Sequence, residues 1–352
     1  MDSNYKSTET TFLAIESPEK VYDCCDDFTS FMTCNDITGR LKYDPVIQQV
    51  LRPLGRGAYG LVAEVIAALP CGDGQLIKGR YAAKFLAPSF YNCQIISELP
   101  LKKKLRFQSM LKHRFFEEFS AMHNLSDHDG VVSAYRPGDF NSIHYFIMDF
   151  VSGGNLESLI TDKGSEKKIS TDGFIGIMLQ VANILDYVHD YGIHRDLKPS
   201  NIMVEYSGKV KLTDYGMVQR INSPFLRDVF KSYGGTPSYM SPEQIRGDEV
   251  DEKTDIWAMG VIIYRYLTGD VPIADCDSSN FLGTDVYSVV EYEPIPKSKD
   301  KKHEALRKLS VKLMNYDKRK RPKNAKKVAL ELERIIKPSN SLISRLTGSS
   351  LF

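Results

Sequence analysis

The stretch Ile193-His194-Arg195-Asp196-Leu197-Lys198-Pro199-Ser200-Asn201 gathers a carboxylate, an ammonium and a carboxamide into one short segment. It follows a stripe of Phe174, Ile177, Met178, Val181, Ile184, Leu185 and Val188, whose spacing predicts an amphipathic helix ending at Tyr191-Gly192. Two short strand-like pieces come next, Ile202 to Val204 and Val210 to Leu212, and then Asp214-Tyr215-Gly216. Taken alone, the nine residues read as a solvated polar turn. Their meaning depends on what precedes and follows them.

Upstream, the pattern from Pro45 is β-rich: Ile47 to Leu54, Gly60 to Leu69 and Leu76 to Leu86 predict three antiparallel strands. The first turn holds Gly55-Arg56-Gly57-Ala58-Tyr59-Gly60-Leu61-Val62. Lying between two strands, it can fold closely over phosphates with its backbone N–H groups facing them, whereas a dinucleotide loop would have to open into a helix. Lys84 stands alone in the apolar run Tyr81-Ala82-Ala83-Lys84-Phe85, where it must either snorkel to solvent or meet a carboxylate. A helix is predicted through Phe107, Met110, Leu111, Phe115, Phe119, Met122 and Leu125, and it carries Glu117 and Glu118. Glu118 is the better partner for Lys84, because Met122 and Leu125 then fall at the inward four- and seven-residue positions. Val131 to Tyr135 and His144 to Phe150 read as two further strands.

In this order, these elements resemble the eukaryotic-type protein kinase superfamily, whose catalytic loop reads H-R-D-x-x-x-x-N. The resemblance spans about residues 48 to 337. It implies an α+β, two-lobed fold with a five-stranded antiparallel sheet plus helix in the small lobe and a mainly helical large lobe. The corresponding boundaries are an extension at 1–46, lobes at 47–150 and 151–337, and a tail at 338–352. It also implies roles: Asp196 takes the proton of the acceptor hydroxyl, Lys198 steadies the transferring phosphoryl group, and Asn201 and Asp214 hold Mg2+. ATP would lie under Gly55, Gly57, Ala58, Tyr59 and Gly60, with Lys84 and Glu118 at its phosphates. Val62, Ala82 and Met203 would sandwich adenine, Met148 would back the pocket, and Asp149 and Val151 would offer backbone hydrogen bonds. Tyr215 replaces the family's phenylalanine after the metal-binding aspartate, which adds a hydroxyl needing a partner.

Gly235-Thr236-Pro237-Ser238-Tyr239-Met240-Ser241-Pro242-Glu243 is similar to the segment that anchors substrate docking, with serine where the family has alanine. By the same resemblance Glu243 pairs with Arg321, and Asp255 in Asp255-Ile256-Trp257-Ala258-Met259-Gly260 braces the catalytic loop. Lys198-Pro199-Ser200 and Thr236 resemble the serine/threonine form of the family. Arg195 before Asp196 implies ordering by phosphate, for which Ser223, Ser232 and Tyr233 lie in the right segment. A non-catalytic scaffold would normally have lost Lys84, Asp196, Asn201 or Asp214. Small-molecule kinases usually lack the segment ending at Pro242-Glu243.

The chain of 352 residues balances 46 Lys and Arg against 45 Asp and Glu, so net charge gives no argument for nucleic acid or a membrane surface. Its six cysteines show neither a disulfide framework nor zinc spacing. No secretory signal or membrane span is predicted, which fits a cytoplasmic protein and is compatible with delivery into another cell without a cleavable signal. Lys84 and Glu118 lie 34 positions apart, longer than the family's usual spacing, and the extra segment holds Lys102, Lys103, Lys104 and Arg106. This basic patch reads as a solvated insertion, a docking site for an acidic partner, or a device that shifts the helix of Glu118. Protein substrates are the other expected partners.

Overall fold

The computed structural model describes residue 41 and residues 44–57, 60–70, 74–86, 100–141, 143–161, 169–215, 237–272 and 294–337. Five antiparallel strands form one sheet in the order β1-β2-β3-β5-β4: β1 (Ile47–Gly57), β2 (Gly60–Pro70), β3 (Leu76–Leu86), β4 (Ala134–Phe140) and β5 (Ile143–Met148). Between β3 and β4 runs α1 (Leu101–Asn124). Its buried Leu111, Phe115 and Met122 face the sheet, with the Phe115 and Phe146 rings 5.0 Å apart. Packing begins before β1. Leu41 is buried in the same cluster as Leu111, and the buried Asp44 carboxylate accepts from the Val46 and Ile47 amides and the Tyr145 hydroxyl.

One expected strand is displaced. Val131 and Val132 are not in the sheet; Val131 bridges Leu212, and the Val132 amide donates to the Leu212 carbonyl at 2.9 Å. The strand proper, β4, is the polar run that follows, with Tyr135, Arg136 and Pro137 exposed. This suits an edge strand, where exposed polar residues and proline are tolerated. The apolar valines are instead spent on joining the two lobes.

The second lobe contains α2 (Leu156–Thr161), α3 (Thr171–Val188), a two-stranded ribbon of β6 (Ile202–Val204) and β7 (Val210–Leu212), then α4 (Pro242–Arg246), α5 (Lys253–Thr268), α6 (Lys301–Leu313) and α7 (Ala325–Ile336). Every residue of α5 from Thr254 to Tyr264 is buried, which makes it the post around which the other helices pack. One continuous apolar cluster runs from Ala82 and Phe115 in the first lobe to Phe174 and Trp257 in the second. The architecture is the two-lobed α+β fold that the sequence implies. No helix among the described residues is long and apolar enough to cross a membrane.

Candidate active site

Lys84 is buried in β3 and meets two carboxylates that come from distant parts of the chain. Its Nζ lies 2.6 Å from Glu118 Oε1 on α1 and 2.5 Å from Asp214 Oδ1 after β7. Burial works against the ammonium, but the Asp214 and Glu118 charges outweigh it and hold the Lys84 pKa above the ordinary lysine range. Burial pushes the Glu118 carboxyl up to about 8, against the pull of Lys84 and with the Asp214 charge adding to the rise. Asp214 is half-buried; desolvation raises its carboxyl, yet Lys84 outweighs that effect and keeps it well below the usual carboxylate range. One cation thus serves two acids.

The loop before β6 is pinned from beneath. Asp255, buried at the start of α5, accepts from the His194 amide at 2.9 Å and the Arg195 amide at 2.8 Å. His189 Nε2 lies 2.9 Å from the same carboxylate. Burial raises the Asp255 carboxyl, but the His189 hydrogen bond and charge more than offset it and its pKa is lowered. Asp196 projects from this floor with 41% of its side chain exposed, so a hydroxyl can reach it. Lys198 Nζ stands 2.9 Å from Asp196 Oδ2, while Asn201 Nδ2 donates to the Asp196 carbonyl at 2.8 Å and to Oδ2 at 3.1 Å. Because its amide nitrogen is committed to Asp196, Asn201 presents Oδ1 away from that residue. The oxygens of Asn201 and Asp214 are hard donors of the kind Mg2+ takes together with phosphate and water, so the donor set fits that ion.

Strand register assembles the wall above this loop. Val62 pairs with Lys84, and Ala82 pairs with both Glu64 and Met148. Cross-strand partners and alternate residues share a face, so Val62, Ala82, Lys84 and Met148 face the same way. Met203 in β6 packs against the cluster that contains Ala82. The Asp149 amide donates to the Ser133 carbonyl, and its side chain accepts from Lys211 Nζ at 2.7 Å, so only backbone oxygen is left for a ligand there. Val151 is half-buried beside it. In the hairpin, Gly55 pairs with Val62 and Gly57 with Gly60. A Cβ on Gly60 would lie 2.0 Å from the Phe85 carbonyl oxygen, whereas one on Gly55 would meet nothing within 4 Å. Close strand approach therefore requires glycine at 60, and Gly55 is left facing open space.

Glu243 and Arg321 meet in a buried, two-pronged ion pair. Two further side chains enter the site without a motif to announce them: His189 below Asp255, and Gln244, whose Nε2 donates to the Arg195 carbonyl at 2.8 Å. The only signal for Gln244 is the Ser241-x-x-Gln244 spacing of a capping box, which marks a helix start and says nothing of a catalytic loop. Ala58, Tyr59, Ser223, Ser232, Tyr233 and Thr236 lie outside the described residues.

Residues 48–331 match the protein kinase domain family. The chain belongs to that family. Among curated relatives, a probable serine/threonine-protein kinase of Clostridium perfringens is 32% identical over 246 residues, covering 69% of this chain and 35% of the relative. The serine/threonine-protein kinase PrkC of Bacillus subtilis is 34% identical over 160 residues, covering 45% and 24%. The kinase domain thus spans about a third or less of the length of these relatives. The crystal structure of the Mycobacterium tuberculosis PknI kinase domain, a double mutant, superposes with a TM-score of 0.56 at 20% identity, covering 82% of this chain and 95% of that one. That likeness concerns the fold alone.

Proposed function

We propose that this kinase domain transfers the γ-phosphoryl group of ATP to serine or threonine hydroxyls of proteins. The observation that carries the reading is the convergence of Lys84, Glu118 and Asp214 on one side of the cleft and Asp196, Lys198 and Asn201 on the other. Mg2+·ATP supplies the phosphoryl group and the metal that neutralises its charge. Lys84, held cationic by its two acids, faces the α- and β-phosphates. Asn201 and Asp214 offer the metal its oxygens. Asp196 orients the acceptor hydroxyl and takes its proton as the new O–P bond forms and the bond to the β-phosphate oxygen breaks. Lys198, already beside Asp196, compensates charge on the group in transit. Val62, Ala82 and Met203 clasp adenine, with Met148 behind it and the backbone at Asp149 and Val151 along its edge.

The aliphatic acceptor is favoured by Lys198-Pro199-Ser200 and by relatives that are named serine/threonine kinases. Lys102, Lys103 and Arg106, exposed on the first turns of α1, with the half-buried Lys104 between them, make an acidic protein segment the favoured partner at that end.

The test is transfer of labelled γ-phosphate from Mg2+·ATP to the protein itself and to basic protein substrates, comparing wild type with Asp196→Asn. Phosphoserine or phosphothreonine is expected from wild type, falling by about 10²- to 10⁴-fold in the variant. Equal labelling by both, or none from wild type with any divalent metal, would overturn the proposal.

A further inference from the structure

Arg195 has φ of +66°, in the left-handed region that residues with a Cβ seldom occupy. It immediately precedes Asp196, so whatever holds that backbone also sets where the carboxylate points. The peptide plane before Arg195 is fixed by its amide on Asp255 Oδ1 at 2.8 Å. The plane after it carries the Arg195 carbonyl and the Asp196 amide as one rigid unit. The Arg195 carbonyl receives Gln244 Nε2 at 2.8 Å.

Gln244 cannot easily be anywhere else. Its Oε1 accepts from the Ser241 amide at 2.9 Å, and the Ser241 hydroxyl caps the Gln244 amide, closing a capping box at the start of α4. Pro242 occupies the first turn, and its neighbour Glu243 is locked by Arg321 and by the Thr254 hydroxyl at 3.1 Å. Both partners of the Gln244 amide are backbone groups of fixed polarity. A donor N–H faces its oxygen and an acceptor carbonyl faces its nitrogen, so the chemistry admits a single orientation of the side chain.

We propose that Gln244 is a positioning residue for catalysis: it clamps the peptide plane leading into Asp196 and ties the catalytic loop to the Ser241–Glu243 anchor of the docking segment. Asp255 holds one side of Arg195 and Gln244 the other, and together they keep the left-handed backbone in place. The proposal deepens the phosphotransfer reading and rests on it for its kinetic consequence. Its structural consequence stands separately.

Gln244→Glu separates this role from helix capping. Glutamate at this position retains the capping box, because its carboxylate still accepts from the Ser241 amide. It replaces the donor facing Arg195 with an oxygen. With the full chain, kcat is expected to fall at least tenfold, equivalent to about 1.4 kcal/mol of barrier, with KM for ATP unchanged and only a small fall in the unfolding temperature from the lost hydrogen bond. Protonating the new carboxyl restores a donor, so the variant-to-wild-type ratio of kcat should climb as pH is lowered from 8 towards 5.5. Amide hydrogen exchange across residues 193–201 should quicken in the variant, a readout that needs no activity. A silent wild type with quickened exchange would sink the phosphotransfer reading and leave the clamp standing. Unchanged exchange, unchanged kcat, or a kcat loss matched by equal losses of ATP affinity and thermal stability would overturn the clamp.

Discussion

Glu243 and Arg321, 78 positions apart, are joined by two parallel hydrogen bonds, Nη1 to Oε1 at 2.6 Å and Nη2 to Oε2 at 2.9 Å, with both side chains closed off from solvent. The guanidinium also donates through Nε to the Asn315 carbonyl at 2.7 Å and stacks 4.9 Å from the Trp257 ring centroid. Truncating one member strands the other's charge. Arg321→Ala is therefore expected to lower unfolding stability at pH 7 by about 3–5 kcal/mol, measured from urea denaturation midpoints. The loss should depend on pH. Burial raises the Glu243 carboxyl, but the Arg321 hydrogen bonds and charge outweigh it and bring it below its ordinary 4.5. With its folded pKa depressed, the pair stabilises fully above about pH 4.5 and loses that contribution as pH falls through the folded value. The gap between wild type and Arg321→Ala should narrow below pH 4.5; a gap that is small at pH 7 or constant down to pH 3 would refute this account.

Tyr215 gives the opposite case, a group whose removal should help. Its ring packs 4.8 Å from His194 in the interior, and its buried hydroxyl has no hydrogen-bond partner among the described residues. Burial, with the Asp255 charge nearby, drives its pKa far above the ordinary tyrosine value, so the group stays a neutral hydroxyl across the working range. Leaving such a hydroxyl unmatched costs about 1–3 kcal/mol. Tyr215→Phe should recover about 1 kcal/mol or more of unfolding stability without altering the packing. A fall in the unfolding midpoint would mean that the hydroxyl is matched after all.

The sequence carried the sheet, the order of the helices and the Lys84–Glu118 pair, because those follow from apolar period and from the cost of leaving a lysine alone in a strand. Residues whose partners lie far along the chain came only from the family resemblance. Nothing local to Glu243 names Arg321, and nothing local to Asp255 shows that it accepts from two backbone amides 61 and 60 positions upstream. Where apolar content misled, the reason is tertiary. Val131 and Val132 look like strand, but they are consumed in contact with Leu212 of the other lobe, while β4 is too polar to stand out. Gln244 was illegible for a different reason: its pattern announces a helix cap, and its second bond exists only once the catalytic loop has folded beneath it.

The basic insertion shows a local conflict that can be tested. It is the start of α1 itself: Lys102, Lys103 and Lys104 occupy the first turn, no acidic residue does, and Pro100 at the cap makes no side-chain hydrogen bond. Positive charge at a helix N-terminus opposes the macrodipole by about 0.3–1 kcal/mol per residue. Leu101 and Leu105, four apart on the same helix, are 71% and 56% exposed. A sequence serving only to extend the helix gains nothing from this arrangement, whereas an acidic, partly apolar partner would be met by both charge and surface. Changing Lys102, Lys103 and Lys104 together to Glu should raise the thermal unfolding midpoint and abolish salt-sensitive binding of a poly-glutamate peptide. A midpoint that drops would show that the end of α1 is governed by contacts other than its charge, and binding that survives the reversal would remove the acidic partner.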